Sequence, residues 1–472
     1  MLLKTLAFWV GSIGFLAYGY ICCRIYHGFA YLLFAMLVWS LTWPDDLSIT
    51  FMNSPYYKMA TRGFEVHLSD LCALILFVYL LRTSRTWHPT KAPPTLYLQL
   101  LLIFVAFISW AMIDGPIPNP LATHPEHQFD FGLERVLRLT HYPLFEITKL
   151  MRGMLIFWVS VNLSKDPDAV KYLRYLFVSL ILYYTGKSLF YRYGLGIHRV
   201  SAGIGHFNNF NTFIGLMAMF LLPWAFRIRG FISSGFLWFM QLCALLCIIL
   251  TISRSALLAM AMGGVAGTFI LLPRFPSVKN ILFIALAFVG AMAIGLKSAD
   301  ALLERFFVQN PTEGSQANRD LLNHEAKVMA GDFVFGVGMG NFSAWSMLRY
   351  SSITGAELGN FAHNSFFLTL GELGYPGLLV FALYWIRSYQ VIFSGVLRCW
   401  RMENEETFCA AVGSFLAVVF MFPQLWWQFT YRTTPVYMLV HVLVGIGVGQ
   451  YLVAAPKKRK IHVPARLRSR ST

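Results

Sequence analysis

Residues 237–272 read LWFMQLCALLCIILTISRSALLAMAMGGVAGTFILL: two apolar runs that meet at a short polar corner, Thr251 to Ser255. Neither run alternates apolar with polar positions, so neither is the strand of an outer-membrane barrel. Each is near the roughly 20 residues a helix needs to cross about 30 Å of hydrocarbon. Lipid supplies no water to the backbone, and a helix pairs every peptide group within itself. Similar runs recur along the 472 residues, among them ILFIALAFVGAMAIGL at 281–296, and the chain is 57% hydrophobic but only 13% charged. These features predict an all-α polytopic membrane helix bundle of about 12–13 transmembrane helices with one large extramembrane loop.

Thirteen spans are expected, near 5–23, 28–43, 67–82, 97–113, 146–163, 172–190, 212–227, 231–251, 255–273, 279–297, 365–388, 408–425 and 434–454. The whole chain, 1–472, is expected to form one integral membrane domain with no fixed-period repeat. The formal charge of +16 would suit nucleic acid, but its distribution argues against that partner. Seven cations (Lys457, Lys458, Arg459, Lys460, Arg466, Arg468, Arg470) sit in the tail 455–472. A basic tail beside a final span reads as a cytoplasmic segment meeting anionic membrane lipids. Counting backwards from it places Arg398 with Arg401, Arg274 with Lys279, Arg227 with Arg229, and Arg82 with Arg85 and Lys91 on the same inner side. The stretch 298–364, with seven acids against four bases, then falls outside. It is too short for a core of its own, so it is expected to pack over the bundle as short helices. One of these, in NRDLLNHEAKVMAGD, should bury Leu321, Leu322, Ala326 and Met329 on one face. The seven cysteines form no CxxC pair, which disfavours a disulfide framework or zinc site. The first apolar run shows no small-residue cleavage site and is expected to be retained.

Polar groups at membrane depth need partners or tasks, because desolvating an unpaired one costs roughly 2–7 kcal/mol. Four places stand out. His363, Asn364 and Ser365 stand together at the mouth of an apolar run. Arg254 sits where two spans meet without a loop; a helix cap or an ion pair with a neighbouring acid would explain it without function. Arg319 opens the expected loop helix, where an ordinary solvated arginine is the plain alternative. Arg192 and Arg199, in YRYGLGIHRVSAGIGHFNNFN, are cations on the side where cations are disfavoured, with Asn208, Asn209 and Asn211 following to cap the next span or bind sugar hydroxyls. Glu146, Lys149 and Arg152 read as an ion-pair ladder on one helix face, and Glu372 is expected to pair with one of these cations. Gly336, Gly338 and Gly340 follow no parallel strand, so they read as a tight turn and not as a dinucleotide fingerprint. Two fixed cations and one titratable base on one side of a membrane suit a reaction in which a phosphorylated leaving group departs as an alcohol attacks.

In order, SRSAL, NRDLLNHEAKVMAGDFVFGVGMGNF and HNSFFLTLGELGYPG resemble the O-antigen ligase and Wzy polymerase superfamily of bacterial envelope enzymes. GIGHFNNFNTFIGL is similar to an earlier element of that family, with Phe210 where a proline is often found and Val334 in place of the proline before the glycine turn. The resemblance covers roughly residues 200–380. It implies a metal-independent, inverting glycosyltransferase of the GT-C type, needing no cofactor, multi-pass in the bacterial inner membrane and acting at the periplasmic face. Its donor would be a glycan on undecaprenyl diphosphate. The acceptor would be lipid A core, a protein hydroxyl or a second lipid-linked glycan. Carried over, Arg254 and Arg319 would hold the diphosphate and His363 would orient or deprotonate the acceptor hydroxyl, while Arg199, Asn211 and Asn364 would bind substrate.

The histidine favours a ligase-like reaction, in which the finished glycan passes to its acceptor, over a Wzy-type O-antigen or exopolysaccharide polymerase. A transporter of polysaccharide or lipid-linked sugar is the reading of another class. Transporters place charges at mid-membrane on broken helices, whereas the unusual charges here gather at one face. A purely structural assembly factor is the remaining alternative.

Overall fold

The computed structural model describes residues 2–43, 47–53, 63–83, 94–112, 133–297, 313–355 and 361–455. The basic residues of the tail, and residues 298–312 and 356–360 of the expected loop, lie outside these. Fourteen long helices are described: α1 (Leu2–Ile25), α2 (Gly28–Ser40), α3 (Leu68–Thr83), α4 (Pro94–Ala111), α5 (Leu133–Leu163), α6 (Pro167–Leu189), α7 (Phe207–Arg227), α8 (Phe231–Leu250), α9 (Arg254–Arg274), α10 (Val278–Lys297), α11 (Glu313–Asp332), α12 (Ser365–Cys399), α13 (Glu405–Trp427) and α14 (Thr434–Val453). Each expected span falls on one of them, and α11 is the expected loop helix. Seven (α1, α7, α8, α9, α12, α13 and α14) are long and apolar enough by themselves to cross a membrane. The chain is an all-α polytopic membrane bundle.

Burial sorts the helices into centre and rim. The apolar stretch of α7 is 100% buried, that of α13 89% and that of α14 83%, against 17% for α1. With no hydrophobic drive between helices in lipid, close backbone approach through small residues holds such a centre together. A Cβ on Gly413 of α13 would lie 2.4 Å from the Phe220 carbonyl oxygen of α7, and one on Gly449 of α14 would lie 2.7 Å from that of Val161 in α5. On the rim, residues such as Phe269, Phe288 and Leu296 remain exposed.

Two features differ from the expectation. A short antiparallel hairpin, β1 (Ser48–Asn53) with β2 (Gly63–His67), joins α2 to α3, pairing Ser48 with His67 and Ile49 with Val66. Further along, α12 runs on to Cys399 but is broken at Gly374 (φ 66, ψ −165), two residues before Pro376. Proline removes an amide and leaves carbonyls of the preceding turn unpaired. The glycine turn supplies the missing donors: Val337 N–H donates to the Gly371 carbonyl (3.1 Å) and Gly338 N–H to that of Glu372 (3.0 Å), while Tyr375 N–H donates back to Val334 (3.2 Å). Gly336, Gly338 and Gly340 all have positive φ, which only glycine adopts without strain. A Cβ on Gly336 would lie 2.3 Å from the Glu372 carbonyl carbon. The GVGMG turn is therefore a plug fitted into the break of a membrane helix.

Above this plug, α11 buries Leu322, Ala326 and Met329, with Leu321 at the edge of the same cluster. The cluster is completed by Leu368 and Phe367 of α12 and by Phe429, so the loop segment shares its core with the bundle.

Candidate functional site

The starts of α7, α9 and α12 converge on Gln428, the residue that closes α13. Asn208 donates through Nδ2 to Gln428 Oε1 (2.9 Å), Gln428 Nε2 donates to Ser255 Oγ (3.4 Å), and Ser365 Oγ donates to the Gln428 carbonyl (2.9 Å). Helix N-termini turn the positive end of the macrodipole towards whatever lies before them. Three such ends on one face make a positive platform.

His363 precedes α12 on this platform. Its ring meets Phe429 edge-on at 5.3 Å, and its buried Nδ1 has no hydrogen-bond partner among the described residues. Burial, then the charge of Arg319, then His206, push this imidazole down to about 4. It is therefore a neutral base at ordinary pH. Arg319, half-buried on α11, is near enough for its charge to act on the His363 ring.

Arg254 is the first residue of α9 and is exposed. The macrodipole disfavours a cation there, so its position suits a negative ligand better than helix stability. The corner before it is strained: Ile252, β-branched, sits at φ 54, a left-handed conformation that costs such a residue of order 1–3 kcal/mol. Ser255 next to Arg254 and Ser365 next to Asn364 both bond Gln428, so this corner and the histidine loop share one joint.

Arg199 donates from Nε to the Thr251 carbonyl (3.3 Å), and its guanidinium lies over the Phe207 ring. Asn211 is fully buried and donates through Nδ2 to Thr251 Oγ1 (3.3 Å), so it supports the same corner from below. Asn364 caps α12, its Oδ1 accepting from the amides of Phe366 and Phe367. Arg192 instead stays within its loop, donating to the His198 carbonyl (2.7 Å).

Two pairings correct the sequence reading. Arg152 leaves the expected ladder to pair with Asp70 on α3 at 2.7 Å. Glu372 pairs with Arg432 (2.6 Å), a residue that charge pattern did not single out, and Arg432 also reaches Glu146 (3.1 Å), which holds Lys149 (3.2 Å). His206, Gln428 and Phe429 were missed as well. Their signal was slight: a histidine in front of an asparagine-rich helix start, and a Gln-Phe pair inside an aromatic run. Among the described residues, no group of three His, Cys, Asp or Glu converges as a metal cluster would.

A multi-pass helical membrane protein carrying arginines and a neutral histidine at converging helix ends is the class that fold and site define. Residues 239–382 match the family model described as O-antigen ligase, a stretch that contains Arg254, Arg319 and His363. Over that segment the chain is similar to the O-antigen ligase family, in line with the resemblance read from its motifs. No curated protein matches the chain.

Proposed function

We propose that the protein transfers a glycan from undecaprenyl diphosphate to a hydroxyl acceptor at the periplasmic face of the bacterial inner membrane, in an O-antigen ligase-like reaction. The observation that carries this reading is the pairing of an unpartnered, neutral His363 with Arg319 at a platform of helix N-termini. In the step, the acceptor oxygen attacks sugar C1 and its proton passes to His363. The bond from C1 to the phosphate oxygen breaks, and undecaprenyl diphosphate leaves with the electron pair. Attack opposite the leaving group inverts C1. Arg254 and Arg319 stabilise the charge that builds on the diphosphate, which asks for no metal. Arginine matches phosphate oxygens bidentately and keeps its charge at any working pH. We assign Arg199 to the outer part of the donor, while Asn211 and Asn364 act by holding the corner and the histidine loop.

The transporter reading is weakened by the plug. The break in α12 resembles a transporter feature, but the glycine turn packs into it at contact distance.

Purified protein in proteoliposomes, given a lipid diphosphate-linked glycan and an acceptor, tests the proposal. Arg254→Ala, Arg319→Ala and His363→Ala should each reduce transfer by roughly 10²- to 10³-fold while membrane insertion persists, and Arg254→Lys should rescue in part. Undiminished product from Arg319→Ala and His363→Ala would remove both residues from the reaction.

A further inference from the structure

We propose that His206 is a second substrate-contacting imidazole of this site, donating a hydrogen bond from Nε2–H to a phosphate oxygen of the lipid-linked donor. The assignment rests on the glycosyl-transfer reading above and names a residue outside the matched family segment.

Its protonation follows from geometry. Nδ1 of His206 accepts from the Asn208 backbone amide at 3.2 Å, capping α7. A nitrogen that accepts carries no proton, so the ring is neutral and its proton sits on Nε2. Nε2 has no partner among the described residues, and the ring is exposed to solvent. An imidazole in this tautomer is a donor and not a base, which separates its task from that of His363. One side of the ring packs on Phe207, whose face also carries the Arg199 guanidinium. A second positive charge beside Arg199 and at a helix N-terminus is disfavoured, which keeps the ring in its donor form.

Its location follows from the Gln428 joint. His206 lies two residues before Asn208 and His363 two residues before Ser365, and both Asn208 and Ser365 bond Gln428. The two imidazoles also influence one another electrostatically. The backbone that presents His206 is held in an uncommon shape: Gly203 (φ 87) and Gly205 (φ 66) are left-handed, and so is the buried Ala202 (φ 48). The strain at Ala202, the one non-glycine of the three, persists where surrounding structure over-determines it, commonly at ligand sites.

A purely structural account makes His206 a helix cap and nothing more, and the two accounts separate by substitution. Asparagine and aspartate are among the best N-caps, so His206→Asn keeps the cap and loses the Nε2–H donor. His206→Gln places an amide N–H near the former Nε2 and loses the cap geometry. In the proteoliposome assay, His206→Asn should keep the wild-type melting temperature yet lose roughly 10²-fold in kcat/KM for the lipid-linked donor. His206→Gln should recover part of that loss despite a lower melting temperature. Wild-type kcat/KM in His206→Asn, with Arg319→Ala inactive in the same preparation, would reduce His206 to a cap and leave the transfer reading intact. Wild-type transfer by Arg319→Ala and His363→Ala would instead overturn the transfer reading itself.

Discussion

At the scale of single residues, the site depends on keeping His363 neutral beside positive charge. An imidazole lowered to about 4 by burial, Arg319 and His206 is ready to accept a proton at any pH well above that value. Transfer should therefore fall only as pH drops through about 4. The unfolded chain, with the usual histidine value near 6.5, binds the proton first. Native stability should thus decline as pH falls from about 6.5 towards 4. Arg319→Gln removes one of the lowering charges, so the His363 value should rise. The measurement is the pH dependence of histidine-selective acylation at His363 in the variant and in the wild type. An unchanged midpoint would show that Arg319 does not face the ring. Arg319 and His363 were legible in the sequence because charge and a titratable base at a membrane boundary are costly. His206 was not legible, because the feature that matters is which ring nitrogen meets the Asn208 amide.

At the scale of elements, α12 is two half-helices joined by a plug. Its first half, 365–373, carries Glu372, which Arg432 holds at 2.6 Å, while Glu146 and Lys149 complete a buried group of two acids and two bases. Removing one member of a buried pair leaves an uncompensated charge and costs about 3–5 kcal/mol, whereas replacing both by apolar residues is often neutral. Arg432→Met alone should therefore lower the melting temperature sharply, and Arg432→Met with Glu372→Leu should recover most of the loss. If the two losses instead add, the pair is not coupled. The break at Gly374 escaped the sequence reading of a straight span. Pro376 marks a disruption, but the donors that repair it come from the turn at 334–338, some forty residues away. Hydropathy has no access to such a pairing. The same limit hid Arg432, whose acids lie on α5 and α12.

At the scale of the whole molecule, hydropathy put each expected span on a described helix, because a bilayer imposes both length and composition on them, but it missed the early start of α5 at Leu133 and the extension of α12 to Cys399. It could not say why α5 and α6, which carry charged residues, sit among spans. The structure supplies that reason in partners: Arg152 with Asp70, Lys149 with Glu146, and Arg174 with Glu406. Charges that would be prohibitive on an isolated helix become tolerable once the bundle closes around them. The bundle then brings the ends of α7, α9 and α12, remote in sequence, to one joint at Gln428, with Arg319 of α11 beside His363. On the function proposed above, this joint seats a lipid-linked diphosphate. The most direct test is a structure of the protein in lipid nanodiscs with a diphosphate-linked glycan bound. Phosphate oxygens are expected about 2.7–2.9 Å from the guanidinium nitrogens of Arg254 and Arg319, with His363 facing sugar C1. A diphosphate seated on another face of the bundle, with both arginines turned away from it, would rule out this joint as the donor site.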